Sequence, residues 1–148
     1  MPQINIHATA LVLGDRGILV TGPSGSGKTT LALTLIERCV AQQRFARLVG
    51  DDQLFVKALH GRLVASVPAA IAGLAEVCGL GPRPLPTRAN AVIDLVVRLV
   101  PERDAPRLPD PSSETISGIA IPLLVLPSRN ASAASLAVAA WLAAPPFG

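Results

Sequence analysis

One segment of the sequence has the residue types and spacing of a phosphate-binding loop. Residues 22–29 read Gly-Pro-Ser-Gly-Ser-Gly-Lys-Thr, with an apolar run before them and a helical pattern after them. Glycines let the backbone turn tightly enough for successive N–H groups to point at phosphate oxygens, and the following helix start adds partial positive charge. In this pattern Lys28 would reach the β- and γ-phosphates of a nucleotide, and the Thr29 hydroxyl would coordinate Mg²⁺. The predicted nucleotide-binding residues are Gly22, Pro23, Ser24, Gly25, Ser26, Gly27, Lys28 and Thr29.

Three carboxylates are candidates for the chemistry that a bound nucleotide requires. Asp51 and Asp52 follow the apolar residues 48–49, so at least one carboxylate can emerge at the end of a sheet strand beside the loop. Glu76 stands alone in an otherwise uncharged stretch, residues 73–81, where Mg²⁺ would be a suitable partner. The alternatives are a turn-forming aspartate pair and an ordinary exposed glutamate.

Strands, hairpins and helices must position these residues. The pattern predicts a hairpin (10–13 with 17–21), a helix (30 to about 43), a second hairpin (55–59 with 62–67) and two later strands (91–100 and 119–126). In the strand at 91–100, residues 93, 95, 97 and 99 are expected to share one face. Pro122 favours an edge or a bulge in the last strand. Proline-rich residues 81–86 and 101–111 should interrupt the pattern, the second as an exposed loop. The predicted fold class is α/β, a kinase-like sheet with hairpins and flanking helices, in a single domain over residues 1–148.

Composition excludes several function classes. The chain has 148 residues, half of them apolar, and a net charge of only +3 without a basic stripe or many aromatics, so nucleic-acid binding is not expected. The N-terminus lacks the basic start of a secretory signal. The uncharged tail, residues 130–148, predicts a packed Ala-rich helix rather than a membrane span. Cys39 and Cys78 match no metal or disulfide spacing, which favours a cytoplasmic protein with reduced thiols.

The order of motifs along the chain resembles one known family, the bacterial HPr kinase/phosphorylases. Its members phosphorylate a serine of the small phosphocarrier protein HPr, and many also remove that phosphate. The segments that carry the resemblance are Ile6-His7-Ala8-Thr9, the loop at 22–29, Leu48-Val49-Gly50-Asp51-Asp52, Ala75-Glu76-Val77-Cys78-Gly79-Leu80-Gly81, Arg107-Leu108 and Pro127-Ser128-Arg129-Asn130.

The resemblance implies a role for individual residues. Asp52 would accept the proton of the HPr serine, with Asp51 and Arg129 in support. Thr29 and Glu76 would face Mg²⁺, and His7, Lys28 and Arg107 match active-site positions. The resemblance also implies ATP and Mg²⁺ as cofactors, HPr as the partner, a homo-oligomer (hexamers in the family) and the short form that lacks an N-terminal domain.

The chain departs from the family pattern at three places. Cys78 stands where the signature has arginine, Ser128 stands where a glycine is usual, and residues 82–84 should interrupt the strand after the signature. The kinase direction keeps its loop and carboxylates, while the reverse phosphorylase direction stays open. Two other functions also stay open: a non-catalytic nucleotide-binding regulator, favoured by Cys78, and a small-molecule kinase, for which the Arg103/Arg107 loop is the candidate lid.

Overall fold

The structure is a computed structural model that describes residues 2–68 and 72–147. Nine of the strands form one sheet, whereas β7 and β8 form a separate two-stranded sheet. In chain order the elements are β1 (Ile4–Ile6), β2 (Ala8–Leu13), β3 (Arg16–Thr21), α1 (Lys28–Ala41), β4 (Ala46–Gly50), β5 (Leu54–Leu59), β6 (Arg62–Ser66), β7 (Leu74–Val77), β8 (Gly81–Pro84), β9 (Asn90–Val100), a 3₁₀ turn (Glu102–Asp104), β10 (Ser112–Ile116), β11 (Ile119–Pro127) and α2 (Ala131–Trp141).

The centre of the large sheet is parallel, and its margins are antiparallel. β9 pairs in parallel with β3 on one side and with β11 on the other. The remaining strands join through antiparallel ladders, so the predicted α/β fold with hairpins is confirmed. Neighbouring parallel strands end at the same edge, and the segments that follow β3, β9 and β11 therefore meet there. β4, antiparallel to β2, also ends at this edge.

The sheet buries an apolar core on each of its two faces. On one face α1 and α2 pack over the central strands, and Leu31, Leu95 and Val138 are almost fully buried. On the other face the sheet curls, so that β5 and β6 cover β2 and β3 through residues such as Leu19 and Val56. Burial of a side chain of this size contributes about 1.5–3 kcal/mol to the stability of the fold. Both apolar cores therefore stabilise the sheet at whose edge the segments after β3, β9 and β11 meet.

The predicted alternation of side chains along β9 is wrong in its first half. Residues 93, 95, 97 and 99 were expected to share a face, but Ile93 packs on the face opposite to Leu95. The cause is a bulge: Gly17 lies opposite Ile93, while the next residue of β3 lies opposite Leu95, which leaves Asp94 as the extra residue. The Oδ2 atom of Asp94 accepts a 2.9 Å hydrogen bond from the Gly17 N–H.

The proline-rich stretch 81–86 does not interrupt the fold as the sequence predicts. Gly81–Pro84 forms β8 and pairs antiparallel with β7. The Leu85 N–H donates to the carbonyl that precedes β7, at 3.1 Å. Backbone groups alternate along a strand, so the nitrogens of Pro82 and Pro84 point away from β7, and the prolines remove no hydrogen bond from this ladder.

Most other elements follow the sequence with small differences. The predicted hairpins are β2–β3 and β5–β6, α2 occupies the Ala-rich tail, and α1 begins at Lys28 rather than Thr30. Pro122 pairs with β10 on one side, but the ladder between β11 and β9 starts only at the next residue, Leu123. The other side of Pro122 is therefore a local edge of the sheet. Residues 101–111 form the expected exposed loop, while the short strands β1 and β10 were not predicted. Within the described part of the chain, neither helix has the length and apolar character needed to cross a membrane.

Candidate active site

Four chain segments converge at the edge where the central strands end. The loop at residues 22–29, called the phosphate loop below, connects β3 to α1, and Asp51 and Asp52 follow β4. His7 immediately precedes β2, whose first residues pair with the end of β3. Arg129 follows β11 and precedes α2. The topology thus explains why residues far apart in sequence lie together.

The phosphate loop has a backbone conformation that favours glycine, as its first and last glycines show. Gly22 and Gly27 have φ angles of 151° and 95°, a region that other L-residues rarely adopt. A side chain on Gly22 would place its Cβ 2.7 Å from the Ser26 Oγ atom. That hydroxyl is buried and has no hydrogen-bond partner among the described residues. The Ser26 side chain therefore lies close to Gly22 inside the loop.

The Lys28 side chain is hydrogen-bonded within its own loop. The side chain is only 5% exposed, and its Nζ atom donates to the carbonyl oxygens of Gly22 and Pro23 at 3.0 and 3.2 Å. A buried ammonium without such partners would be costly, and these two carbonyls satisfy it inside the loop. The arrangement keeps the charge at the place where the sequence predicts phosphates.

Asp51 connects the phosphate loop with β2 and β7. Its Oδ1 atom accepts hydrogen bonds from the hydroxyls of Thr29 (2.7 Å) and Thr9 (3.0 Å). Its Oδ2 atom accepts from the backbone N–H of Glu76 at 2.9 Å. The family resemblance implies only a supporting role for Asp51, yet it is the carboxylate that contacts the phosphate loop. An aspartate beside the loop Thr is the arrangement that holds Mg²⁺ in nucleotide-hydrolysing enzymes with this motif.

Asp52 forms a pair with His7. The His7 Nε2 atom lies 2.8 Å from Asp52 Oδ1, and the two side chains are 51% and 58% exposed. Asp52 has a φ of 71°, and its backbone N–H points to the Thr9 hydroxyl at 3.4 Å. Its exposed carboxylate is therefore available to an incoming substrate, in contrast to the hydrogen-bonded carboxylate of Asp51.

Most of these groups line one cleft of about 580 Å³, whereas His7 is not part of the lining and contacts Asp52, which is. Its lining includes the predicted residues Lys28, Thr29, Asp51, Asp52, Glu76 and Arg129. The starts of α1 and α2 both line it, and each helix start carries partial positive charge that favours a bound anion. The structure therefore brings most of the predicted site residues together around a space of suitable size for a nucleotide.

Arg107 does not belong to this lining. It lies in the exposed 101–111 loop, next to Leu108, which is 92% exposed. Its assignment to the active site stays a prediction from the family resemblance. Arg129, by contrast, contacts the phosphate loop directly: its backbone N–H donates to the Ser26 carbonyl and its Nε to the Gly25 carbonyl. The residue pattern alone contains no signal for these two contacts.

The donor set of the cleft fits Mg²⁺ bound together with a phosphate chain. In residues 2–68 and 72–147, no three His, Cys, Asp or Glu side chains are arranged so that they could hold a metal ion by themselves. Mg²⁺ needs no such cage, because it commonly uses one or two carboxylates, several waters and the oxygens of a bound phosphate. The Thr29 hydroxyl next to the Asp51 carboxylate supplies hard oxygen ligands of this kind.

Comparison with protein families assigns the chain. The sequence profile of the "HPr Serine kinase C-terminal domain" family matches residues 1–143. The chain belongs to this family. The resemblance drawn from the ordered motifs is thereby confirmed over nearly the whole sequence.

Individual members of the HPr serine kinase family are moderately similar to this chain. The HPr kinase/phosphorylases of Clostridium tetani and Clostridium beijerinckii are 40% and 39% identical over 80 residues, which is 54% of this chain. The chain covers 24% of the length of each. The solved HPr(Ser) kinase/phosphatase from Coxiella burnetii is 26% identical, with a TM-score of 0.78 over 94% of this chain and 93% of that one.

The two cysteines should differ sharply in reactivity. Cys78 is exposed and lines the cleft, whereas Cys39 is partly buried and its burial raises the pKa of the thiol, against a smaller effect of Arg44 and Arg38. Because the thiolate is the reactive form, we expect iodoacetamide at pH 8 to label Cys78 at least about tenfold faster than Cys39. Mass spectrometry of tryptic peptides measures both rates. Mg²⁺–ATP should slow labelling of Cys78 only, and equal rates at the two sites would contradict the description of the cleft.

Proposed function

We propose that this chain is an ATP- and Mg²⁺-dependent kinase that phosphorylates a serine of HPr. One observation carries the proposal: an exposed carboxylate, Asp52, stands at the same cleft as a phosphate loop whose Thr29 is bonded to a second carboxylate, Asp51. The names of the relatives support HPr as the substrate, since they are HPr kinases. A regulator that only binds nucleotide would have no need for the second, exposed carboxylate.

The phosphate loop and its neighbours bind and orient the nucleotide. Loop N–H groups and Lys28 hold the phosphates, for which the Lys28 ammonium must exchange the carbonyls of Gly22 and Pro23 for phosphate oxygens. Thr29, Asp51 and Glu76 are the residues that would hold Mg²⁺. When bound, the metal neutralises charge on the transferring phosphoryl group.

Asp52 prepares the serine hydroxyl of the substrate. If His7 carries its proton on Nε2, it donates to Asp52 Oδ1 and leaves Oδ2 to accept the hydrogen bond of the serine. The hydroxyl is oriented by this bond and passes its proton to Asp52 as the oxygen attacks the γ-phosphorus. The bond from the γ-phosphorus to the β–γ bridging oxygen breaks in the same step, and ADP leaves. The exposure of Asp52 is required by this role, because the acceptor belongs to another protein.

The family resemblance supports three finer proposals. Arg107, on the exposed loop, joins the site when the protein substrate is bound. The enzyme is a homo-oligomer in the cytoplasm.

The third proposal concerns the direction of the reaction. The reverse, phosphorylase reaction requires groups that receive inorganic phosphate. Because Cys78 places a neutral thiol where the signature has arginine, we expect the kinase direction to dominate.

Replacement of Asp51 by Asn tests the proposed metal-binding arrangement. The amide would keep one oxygen for the Thr9 and Thr29 hydroxyls, but its NH₂ group would face the N–H of Glu76, donor against donor. We expect a loss of stability of about 1–3 kcal/mol and Mg²⁺–ATP affinity reduced about tenfold or more. Urea denaturation and calorimetric titration measure the two effects. Asp15→Asn, in the exposed turn between β2 and β3, is the matched control and should change neither.

A transfer assay tests the function itself. The protein is incubated with γ-labelled ATP, Mg²⁺ and HPr from the same organism, and the label is located by peptide mapping. Label on a serine of HPr supports the kinase. Tight ATP binding without transfer would favour the nucleotide-binding regulator, and transfer to a metabolite in a desalted extract would favour a small-molecule kinase. Either result would overturn the proposal.

A further inference from the structure

Arg129 donates two hydrogen bonds to consecutive carbonyls of the phosphate loop. Its backbone N–H donates to Ser26 O at 3.0 Å, and its side-chain Nε donates to Gly25 O at 2.9 Å. We propose that Arg129 is a positioning residue that presets the phosphate loop for the phosphate chain of a nucleotide. This inference rests on the proposed function, because it assigns a residue to the nucleotide-binding step of that reaction.

The planarity of the peptide bond gives these contacts their effect. In a trans peptide the carbonyl and the following N–H point in opposite directions. With the Ser26 carbonyl held toward Arg129, the Gly27 N–H must point away from Arg129, so the direction of this donor is fixed. With the Gly25 carbonyl held, the Ser26 N–H is directed back to Pro23 O, at 3.1 Å. Arg129 therefore orients two successive peptide planes before any nucleotide arrives.

Hydrogen bonds fix the residues on both sides of Arg129. The Ser128 N–H donates to Val100 O at the end of β9, and the Asn130 side chain caps α2 by accepting from the Ala133 N–H. Arg129 between them has a φ of 58°, a left-handed conformation that costs a non-glycine residue energy and persists only where its surroundings impose it. The strain is concentrated at the residue that holds the loop.

A lysine cannot replace this contact. With the same side-chain torsion angles, lysine carries a methylene group where arginine carries Nε, so the Gly25 carbonyl would face a carbon atom at the distance of a hydrogen bond. If Arg129 acted only through its charge, by attraction of phosphate, lysine would preserve most of the effect. Arg129→Lys therefore separates a geometric role from an electrostatic one.

The test uses three full-length variants and Mg²⁺–ATP as the probe. Arg129→Lys keeps the charge, Arg129→Gly keeps the backbone N–H and relieves the left-handed strain, and Arg62→Lys at the exposed start of β6 is the control. We expect Arg129→Lys and Arg129→Gly each to raise the Kd of Mg²⁺–ATP by about tenfold or more, with the thermal midpoint unchanged or higher for the glycine variant. An affinity of Arg129→Lys within twofold of the wild type would overturn the proposal.

A second readout does not depend on nucleotide binding. In the nucleotide-free protein, the Ser26 amide is held by Pro23 O, and both Arg129 variants should speed its hydrogen exchange at least about tenfold, since the opposite carbonyl of the same peptide is released. Unchanged exchange in both variants would overturn the positioning role. If wild-type protein binds Mg²⁺–ATP but does not phosphorylate HPr, the proposed function fails while the Kd comparison still decides the role of Arg129. If it does not bind Mg²⁺–ATP, the exchange measurement decides alone.

Discussion

Asp52→Asn is expected to reduce the rate of HPr phosphorylation by about 10²–10⁴-fold, the usual contribution of a general base, while the affinity for Mg²⁺–ATP stays within twofold. The amide cannot accept the serine proton, but it can still accept the hydrogen bond from His7. Asparagine tolerates positive φ better than most residues, so the 71° conformation at this position should persist and the variant should fold.

Single-turnover transfer from labelled ATP to HPr measures this effect without interference from product release. Asp15→Asn serves as the matched control, because Asp15 is exposed in the turn at the opposite end of β2. If Asp52→Asn kept more than a tenth of the wild-type rate, Asp52 would not be the proton acceptor, and another group would have to be sought among the residues that line the cleft.

Gly17→Ala is expected to destabilise the protein by more than about 4 kcal/mol or to prevent folding, the largest stability effect that we predict. A Cβ atom on Gly17 would lie 1.9 Å from the backbone oxygen of Val92 and 2.8 Å from its carbonyl carbon. Both atoms belong to the rigid backbone of β9, which pairs with β3 at the centre of the sheet. Relief of the overlap would require separation of these two strands.

Gly14→Ala is the control for this prediction. Gly14 has a φ of 63°, and a Cβ placed there meets nothing within 4 Å, so only the left-handed backbone opposes alanine, at about 1–2 kcal/mol. Urea denaturation of the two variants compares a steric cost with a conformational one in the same hairpin. Equal stability of Gly17→Ala and Gly14→Ala would show that β3 and β9 adjust more freely than the packed sheet implies.

These two glycines also show where prediction from the sequence stops. Both stand in the segment Gly14-Asp15-Arg16-Gly17, and the sequence explains them alike, as a turn between two strands. Gly17 is also the first residue of the predicted strand 17–21, but only the structure shows that it lies opposite the bulge at Asp94, 77 residues later in the sequence. Contacts of this kind depend on tertiary pairing, which local patterns do not encode.

The candidate site likewise contains features that the sequence predicts and features that only the structure shows. The phosphate loop was predictable because glycines, Lys28 and Thr29 lie in one continuous segment with a strand before and a helix after. The different positions of Asp51 and Asp52 were not, since adjacent identical residues carry no sign of which one turns toward Thr29 and which one toward His7. The hydrogen bonds from Arg129 to the loop form because β11 ends beside β9. This neighbourhood is set by the order of strands in the sheet, which local sequence patterns do not encode.

The most direct test of the account is a crystal structure of the protein with Mg²⁺ and a non-hydrolysable ATP analogue. We expect the metal within about 2.0–2.1 Å of the Thr29 hydroxyl or bound through water to Asp51, and the terminal phosphate between Lys28 and Asp52. A nucleotide seated in the phosphate loop with Asp51, Asp52 and Glu76 all turned away from its terminal phosphate would contradict the proposed transfer to a serine.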